Sequence, residues 1–188
     1  MGNGFLGWLA GGEDPSASLD GGLAVLVAAP GVLSREYRGG RTLTGARCQS
    51  GFVDGVFAVV HGTPRWISDG AHARSGDGGI MAQLIDAARA EGAGAFRHLS
   101  GAFAVALVFA QERRVLLATD RLGMVPLFHA ARGGTLAFAT DLRRLLACGI
   151  LAPVVDPQSI YDYSFFAMIP APRTAFLGYE RLTPGTAL

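Results

Sequence analysis

The hydrophobic positions in the first half of the chain form short runs separated by turn-forming residues. Three of these runs predict strands, at 4–10, 23–29 and 52–61. The run at 52–61 is so densely apolar that it predicts a strand buried on both faces. The glycine pairs at 21–22 and 39–40 predict loops within one domain. The pattern indicates a first half that is rich in β-sheet.

The hydrophobic spacing then becomes helical. Ile80, Leu84 and Ile85 recur at the spacing of one helix face, and Gly92 follows as a stop signal. Asp77 is the predicted N-cap of this helix, and residues 93–99 predict a second, shorter one.

Strands and helices alternate in blocks along the rest of the chain. The predicted strands are 102–110, 115–119, 127–130 and 136–139, and the predicted helices are 141–148 and 156–167. The polar residues 111–114 form the turn of a predicted hairpin. Because no strand–helix–strand repeat occurs, the pattern predicts an α+β domain.

Composition narrows the functional classes. The chain has 188 residues, 16 basic against 15 acidic, and 50% apolar residues, which predicts one globular domain over 1–188. A net charge of +1 leaves no excess of cations for nucleic acid or an anionic membrane. All the cations are arginine, which excludes lysine chemistry. Two isolated cysteines, Cys48 and Cys148, and no signal or membrane-spanning segment predict a cytoplasmic protein.

Several stretches of the second half have a specific order of residues. They read LSGAFA at 99–104, ATDRLGMVPLF at 118–128, FATDLRRLL at 138–146, PAPRTAFLG at 170–178 and LTPG at 182–185. In this order and spacing they resemble the glutaminase half of asparagine synthetases, and the first half of the chain resembles it weakly. The resemblance implies a class II glutamine amidotransferase domain, an N-terminal-nucleophile hydrolase. Its fold is a four-layer αββα sandwich of two antiparallel sheets flanked by helices.

The start of the chain departs from this family. There the residue after the initiator methionine is a cysteine, whose thiol attacks and whose own α-amine is the base. Aligning the two glycines of the family with Gly4 and Gly7 places Asn3 at the nucleophile position. An amide cannot attack a carboxamide. Cys48 cannot serve as an N-terminal nucleophile, because its amine is part of a peptide bond.

A second departure concerns the oxyanion hole. The resemblance implies that His61, Gly62 and Thr63 match an Asn-Gly-Glu stretch, in which the Asn amide and the Gly backbone form the hole and the Glu contributes to glutamine binding. Only the glycine is kept, and loss of one oxyanion donor typically lowers the rate by about 10²–10³. We expect His61 to face the cleft, where it is a candidate for ligand contact.

Other substrate contacts are less defined. Asp77 is displaced by one residue from the family's aspartate that holds the glutamine amine. An arginine for the substrate carboxylate falls among four candidates, which are Arg35, Arg38, Arg41 and Arg47.

The resemblance also implies a partner. Asparagine synthetases continue into an ATP-pyrophosphatase synthetase domain with an SGGxDS loop, which this sequence lacks, and residues 150–188 are interpreted as an extension toward that domain. We expect no cofactor and no metal in this chain, with ATP and Mg²⁺ confined to a synthetase domain in cis or in trans. A second copy of this chain, in a homodimer, is a further candidate partner.

Three functional hypotheses follow. The first is a degenerate glutaminase-like scaffold for an ATP-dependent amide-forming domain, asparagine synthetase-like or, by analogy, lasso-peptide-cyclase-like. The second is an active glutamine amidotransferase that supplies ammonia for asparagine synthesis. The third is a small-molecule binding module that uses the vacated glutamine pocket.

Two further features have structural interpretations. Asp120 and Arg121 are predicted to form an ion pair at the end of a strand. The aromatic residues at 161–166 are predicted to lie in the core or at an interface with a following domain.

Overall fold

A computed structural model describes residues 4–10, 33–37, 40–45, 47–68, 71–73 and 79–188. Five predicted features lie outside these residues, namely Asn3, the loop at 21–22, the strand at 23–29, the candidate Arg38 and the N-cap Asp77.

The described residues form thirteen strands, three α-helices and one 3₁₀-helix. The strands are β1 (Phe5–Ala10), β2 (Leu33–Tyr37), β3 (Gly40–Thr44), β4 (Cys48–Val53), β5 (Val56–Gly62), β6 (Arg65–Ser68), β7 (Ala71–Ala73), β8 (Leu99–Ser100), β9 (Phe103–Phe109), β10 (Arg114–Thr119), β11 (Phe128–Arg132), β12 (Thr135–Ala139) and β13 (Glu180–Arg181). The helices are α1 (Gly79–Glu91), the 3₁₀-helix (Gly92–His98), α2 (Leu142–Ala147) and α3 (Pro157–Phe166).

The strands form two main antiparallel sheets. One has the order β13-β11-β12-β1-β3-β2, the other has the order β10-β9-β5-β4, and a small third sheet has the order β7-β6-β8. In the larger sheet β1 pairs with β12 on one side and β3 on the other. Strand β1 therefore lies in the interior of this sheet.

Three hydrophobic clusters show how the layers stack. The first packs α1 and the 3₁₀-helix on the outer face of the four-stranded sheet, with Leu84 and Leu107 fully buried. The second lies between the two sheets and contains Phe5 of β1 and Val59 of β5. The third packs α2, through Leu145, on the outer face of the six-stranded sheet. This order of helix, sheet, sheet and helix confirms the predicted four-layer α+β architecture.

The single strand predicted at 52–61 is wrong. Residues Asp54 and Gly55 have φ values of 48° and 81°, so the chain turns there and β4 pairs with β5 as a hairpin. An Asp-Gly pair accepts these left-handed conformations, and the apolar residues on both sides concealed this turn signal. Burial differs accordingly, because residues 56–60 are all buried whereas Phe52 on β4 is exposed.

Helix capping confirms the predicted helices of the second half. Asp141 accepts a hydrogen bond from the N–H of Arg143 at 2.9 Å and caps α2. Asp156 accepts one from the N–H of Gln158 at 3.1 Å, with Pro157 in the first turn of α3. Carboxylate caps satisfy N–H groups that have no partner within the helix.

The predicted ion pair between Asp120 and Arg121 is wrong. The Asp120 carboxylate instead accepts four backbone N–H groups, at 3.0 to 3.2 Å, from Phe103, Leu122, Met124 and Val125. Burial raises the pKa of Asp120, but these four donors outweigh it and hold the pKa below its ordinary value. Asp120 therefore fixes the loop that connects β10 to β11.

The C-terminal segment packs against both sheets. Strand β13 pairs with β11, and Tyr179 is buried in the outer cluster beside α2. The last residue, Leu188, exchanges two backbone hydrogen bonds of 2.8 Å with Leu117, along the outer edge of β10. Residues 186–188 therefore cover this edge of the four-stranded sheet.

The aromatic residues of α3 are not in the core. Tyr161 and Phe165 are 67% and 74% exposed, and Ser159 is the buried residue of this helix. The interpretation of this cluster as core is therefore wrong. No helix in the described part of the chain is long and apolar enough to span a bilayer.

Candidate functional site

The start of β1 meets the end of β5 and the start of β4 at one edge of the inter-sheet core. Phe57 and Val59 of β5 face the cluster between the sheets. Side chains alternate along a strand, so His61 faces the same way. Cys48, at the start of β4, lies directly opposite His61 in the antiparallel pair. The two side chains therefore project from neighbouring positions on one face of the sheet.

Gly4 allows these elements to approach closely. Its φ is +108°, and a Cβ atom there would collide with Thr140 Oγ1 at the end of β12. The same hypothetical Cβ would lie 3.6 Å from His61 Nδ1. The next residue is fixed to the same threonine, because the N–H of Phe5 donates to Thr140 Oγ1 at 3.0 Å. Gly4 and His61 are therefore in contact range at the N-terminal end of β1, which we call the head of β1.

His61 has an unusual polar environment. Its Nδ1 is buried and has no hydrogen-bond partner in the described part of the chain. Burial lowers the pKa of His61 below its ordinary value near 6.5, and the charges of Arg144 and Arg47 lower it further. The imidazole is therefore neutral at pH 7.

Cys48 is a protonated thiol in this environment. Burial raises its pKa to about 11, against opposing contributions from backbone hydrogen bonding to Gly4 and Gly45 and from the charge of Arg144. A thiolate is the reactive form of cysteine, and a thiol with this pKa is almost entirely protonated at neutral pH.

Arg144 reaches the site from α2. Its Nη1 donates to the carbonyl oxygen of Gly4 at 3.4 Å, and the N–H of Gly45 donates to the same oxygen at 2.8 Å. Arg47 approaches from the turn before β4, where its own φ is 64°. Among the four arginines considered for a carboxylate, Arg41 and Arg47 have described side chains, and of these two Arg47 is the one whose charge acts on His61.

Gly62 and Thr63 are held against β9. A Cβ on Gly62, whose φ is +106°, would collide with the carbonyl oxygen of Ala102. The N–H of Thr63 donates to that same oxygen at 2.9 Å, and the Thr63 side chain is exposed. Packing alone therefore requires glycine at position 62, whatever its chemical role.

A cavity of about 480 Å³ is lined in part by Ala102, whose carbonyl oxygen accepts the N–H of Thr63. Gly101 is part of its wall, and a Cβ on Gly101 would lie 2.8 Å from the carbonyl oxygen of Thr63. The rest of its wall is mostly apolar and includes Phe103, Leu122 and Met124. This space suits an apolar group.

The structure brings together only some of the residues predicted from sequence. His61 lies near the head of β1, and Gly62 and Thr63 follow it and contact Ala102. Asn3, Arg38 and Asp77 lie outside the described residues. The sequence analysis missed Arg144 as a site residue. Its signal is weak, because Arg143 beside it has the same charge and only the helix geometry separates them.

Chemically, the described part of the site holds cations, an imidazole and a thiol. A neutral imidazole is a possible base, but the neighbouring thiol holds its proton too tightly to transfer it to a histidine with a pKa below 6.5. No group of three or more metal-ligating side chains is found in the described residues.

The comparisons with known proteins bear on fold and family. The family described as "Glutamine amidotransferase domain" matches residues 73–188, so His61, Gly62 and Thr63 precede the matched segment. No curated protein matches this chain in sequence.

Among solved structures, the chain is similar to the glutamine phosphoribosylpyrophosphate amidotransferase from B. subtilis. The identity is 14%, the TM-score is 0.47, and the match covers 82% of this chain and 45% of that one. It is also similar to a structure described as the allosteric regulatory enzyme of purine biosynthesis. Here the identity is 12%, the TM-score is 0.48, and the match covers 100% of this chain and 41% of that one.

This chain therefore spans less than half the length of either structure. The family match, in contrast, extends over more than half of the residues in this chain. The chain belongs to the glutamine amidotransferase domain family.

Proposed function

We propose that this domain does not hydrolyse glutamine and serves as a scaffold for an ATP-dependent, amide-forming synthetase domain of the asparagine synthetase type. The observation that carries the proposal is the thiol beside the head of β1. Cys48 is half-buried, burial raises its pKa to about 11, and its amine is part of a peptide bond.

The rest of the site supports the same conclusion. Aligned with the family, Asn3 stands where the nucleophilic cysteine belongs, and His61 stands where an amide donor belongs. The charges acting on His61 are both cationic, so they oppose its protonation. A neutral histidine that accepts the proton of a nucleophile becomes positively charged, which these arginines make unfavourable.

An exposed aromatic surface on α3 supports the scaffold role. Its four aromatic side chains are each more than half exposed, and the rings of Phe165 and Phe166 stack edge to face at 4.8 Å. Aromatic side chains are enriched in protein interfaces, where each ring buries a large area on contact.

The proposed partner carries the cofactors. ATP and Mg²⁺ bind in the synthetase domain, which is present in cis or in trans and is asparagine synthetase-like or lasso-peptide-cyclase-like. The proposed location is the cytoplasm. A homodimer of this domain is compatible with the α3 surface.

A glutaminase assay tests the proposal. Purified native chain is incubated with glutamine, and released glutamate is compared with that from a variant processed to begin at Asn3→Cys. We expect no glutamate from the native chain above the background of heat-inactivated protein. Turnover by the native chain would overturn the proposal and favour an active amidotransferase.

A further inference from the structure

A second cavity lies at the opposite end of the four-stranded sheet from the candidate site. Its volume is about 350 Å³, and its wall is formed by the β4–β5 turn, the β9–β10 turn and the last turn of α1. Strand β5 rises about 17 Å between Val56, which is part of this wall, and His61. The cavity is therefore separate from the site at the head of β1.

Two ion pairs lie in the wall of this cavity. Arg89 Nη2 donates to the carbonyl oxygen of Asp54 at 2.6 Å, and Arg89 Nη1 lies 3.7 Å from the Asp54 carboxylate. Arg114 Nη2 lies 2.8 Å from the Glu112 carboxylate. The wall therefore carries two positive and two negative side chains, a balance that suits a ligand with both charges better than a simple anion or cation.

The positive side chains of the wall are more buried than the negative ones. Arg89 and Arg114 are 41% and 38% exposed, whereas Asp54 and Glu112 are 72% and 55% exposed. The guanidinium of Arg114 also lies over the buried ring of Phe109, with its Cζ 4.1 Å from the ring centroid. A ligand with two opposite charges would therefore enter with its negative end inward and its positive end toward the rim.

Arg114 has a donor available for such a ligand. A guanidinium has five N–H donors, and one nitrogen, Nη2, contacts Glu112. The Nε of Arg114 is buried and has no hydrogen-bond partner among the described residues, although buried donors are normally satisfied. A carboxylate that approaches the guanidinium can accept two parallel hydrogen bonds from it. This edge of Arg114 therefore suits the carboxylate of a ligand.

We infer that this cavity binds a small polar α-amino acid. The ligand carboxylate contacts Arg114, and the ligand ammonium lies at the rim beside Asp54 and Glu112. The amide of Gln111, which is also part of the wall, both donates and accepts hydrogen bonds and so favours a polar side chain on the ligand. The inference goes beyond the proposed function, and it holds whether or not glutamine is hydrolysed.

Titration with L-serine and two analogues of it tests this inference. The analogue 3-hydroxypropionate lacks the ammonium group, and ethanolamine lacks the carboxylate. Binding is followed at constant ionic strength by the ¹⁵N–¹H signals of Gly55 and of the Gln111 side chain, both in the wall. We expect serine to shift both signals saturably and to bind about tenfold or more tightly than either analogue, since each analogue lacks one charged hydrogen-bonding partner. The signal of Gly4 at the head of β1 should not move.

Two matched variants assign the effect to the cavity. Arg114→Gln should weaken serine binding about tenfold or more, because it removes a charged donor. Arg113→Gln is the control and should bind as the native chain does, because Arg113 is the preceding residue but is not part of the wall. If Arg114→Gln does not fold, Arg114→Lys replaces it, and we expect several-fold weaker binding because an ammonium cannot match the guanidinium fork.

Two results would overturn the inference. One is a native chain in which serine gives no saturable shift at Gly55 and Gln111, or binds no more tightly than the analogues. The other is an Arg113 variant that loses as much affinity for serine as the Arg114 variant.

Discussion

At the scale of single residues, the head of β1 depends on side chains that are far apart in sequence. Cys48 comes from β4, Thr140 from the end of β12 and Arg144 from α2, and all three converge on Gly4. The sequence identifies His61 because it directly precedes Gly62, the glycine kept from the family's Asn-Gly-Glu stretch. It cannot identify Arg144, because that requires knowing which way a six-residue helix faces.

Replacement of Gly4 by alanine tests this convergence. We expect Gly4→Ala to lower the free energy of unfolding by about 1–3 kcal/mol, because alanine is strained at a φ of +108° and its Cβ collides with Thr140. Chemical denaturation measures the loss. Gly51→Ala on β4 is the control, since no atom lies within 4 Å of its Cβ; an equal loss there would contradict the explanation.

A pH dependence follows from His61. Its pKa in the folded chain is lowered by burial, then by Arg144 and Arg47, so the unfolded chain binds more protons than the native one just below pH 6.5. Stability should therefore fall as the pH is lowered through about 6.5. Denaturation at pH 7.5 and pH 5.5 should show a smaller loss for His61→Asn than for the native chain. An identical loss in both would contradict the role of His61.

At the scale of elements, turn and cap chemistry decides what the hydrophobic pattern leaves ambiguous. The apolar residues at 52–61 fit one long strand, yet the Asp54-Gly55 turn divides them into a hairpin. The helices, in contrast, have apolar faces and carboxylate caps that are close in sequence, and their prediction is confirmed. An element is therefore predicted correctly where hydrophobic spacing and capping residues agree. The prediction fails where a turn lies within an apolar run.

The loop between β10 and β11 provides the test at this scale. We expect Asp120→Asn to lower the free energy of unfolding by about 1–3 kcal/mol, because an amide cannot accept all four backbone N–H groups that the carboxylate binds. Urea denaturation provides the measurement. Glu112→Gln, at an exposed pair with Arg114, should change stability by less than about 0.5 kcal/mol. Equal effects would show that the Asp120 contacts are not important for folding.

At the scale of the whole molecule, the layered architecture was predictable because the motif order of the second half has a specific resemblance. The three clusters confirm it. The exposure of α3 was not predictable, because aromatic residues in a helix usually indicate burial, and only the packing shows that nothing in the described chain covers Tyr161 and Phe165.

A double variant tests whether α3 is surface rather than core. We expect Tyr161→Ser combined with Phe165→Ser to leave the free energy of unfolding within about 0.5 kcal/mol of the native value, since both rings are mostly in solvent. Leu145→Ala, on a fully buried side chain, should cost about 2–5 kcal/mol. Differential scanning calorimetry compares the two. A large loss in the double variant would place α3 in the folding core.

The contacts of residues 186–188 with β10 have a practical consequence for truncation and tagging. The backbone of Leu188 hydrogen-bonds both the N–H and the carbonyl oxygen of Leu117. Removal of residues 186–188 would expose unpaired backbone N–H and C=O groups of β10. An exposed strand edge of this kind can pair with a strand of another molecule. A purification tag placed after Leu188 should therefore be joined through a long flexible linker, so that residues 186–188 keep their contacts with β10.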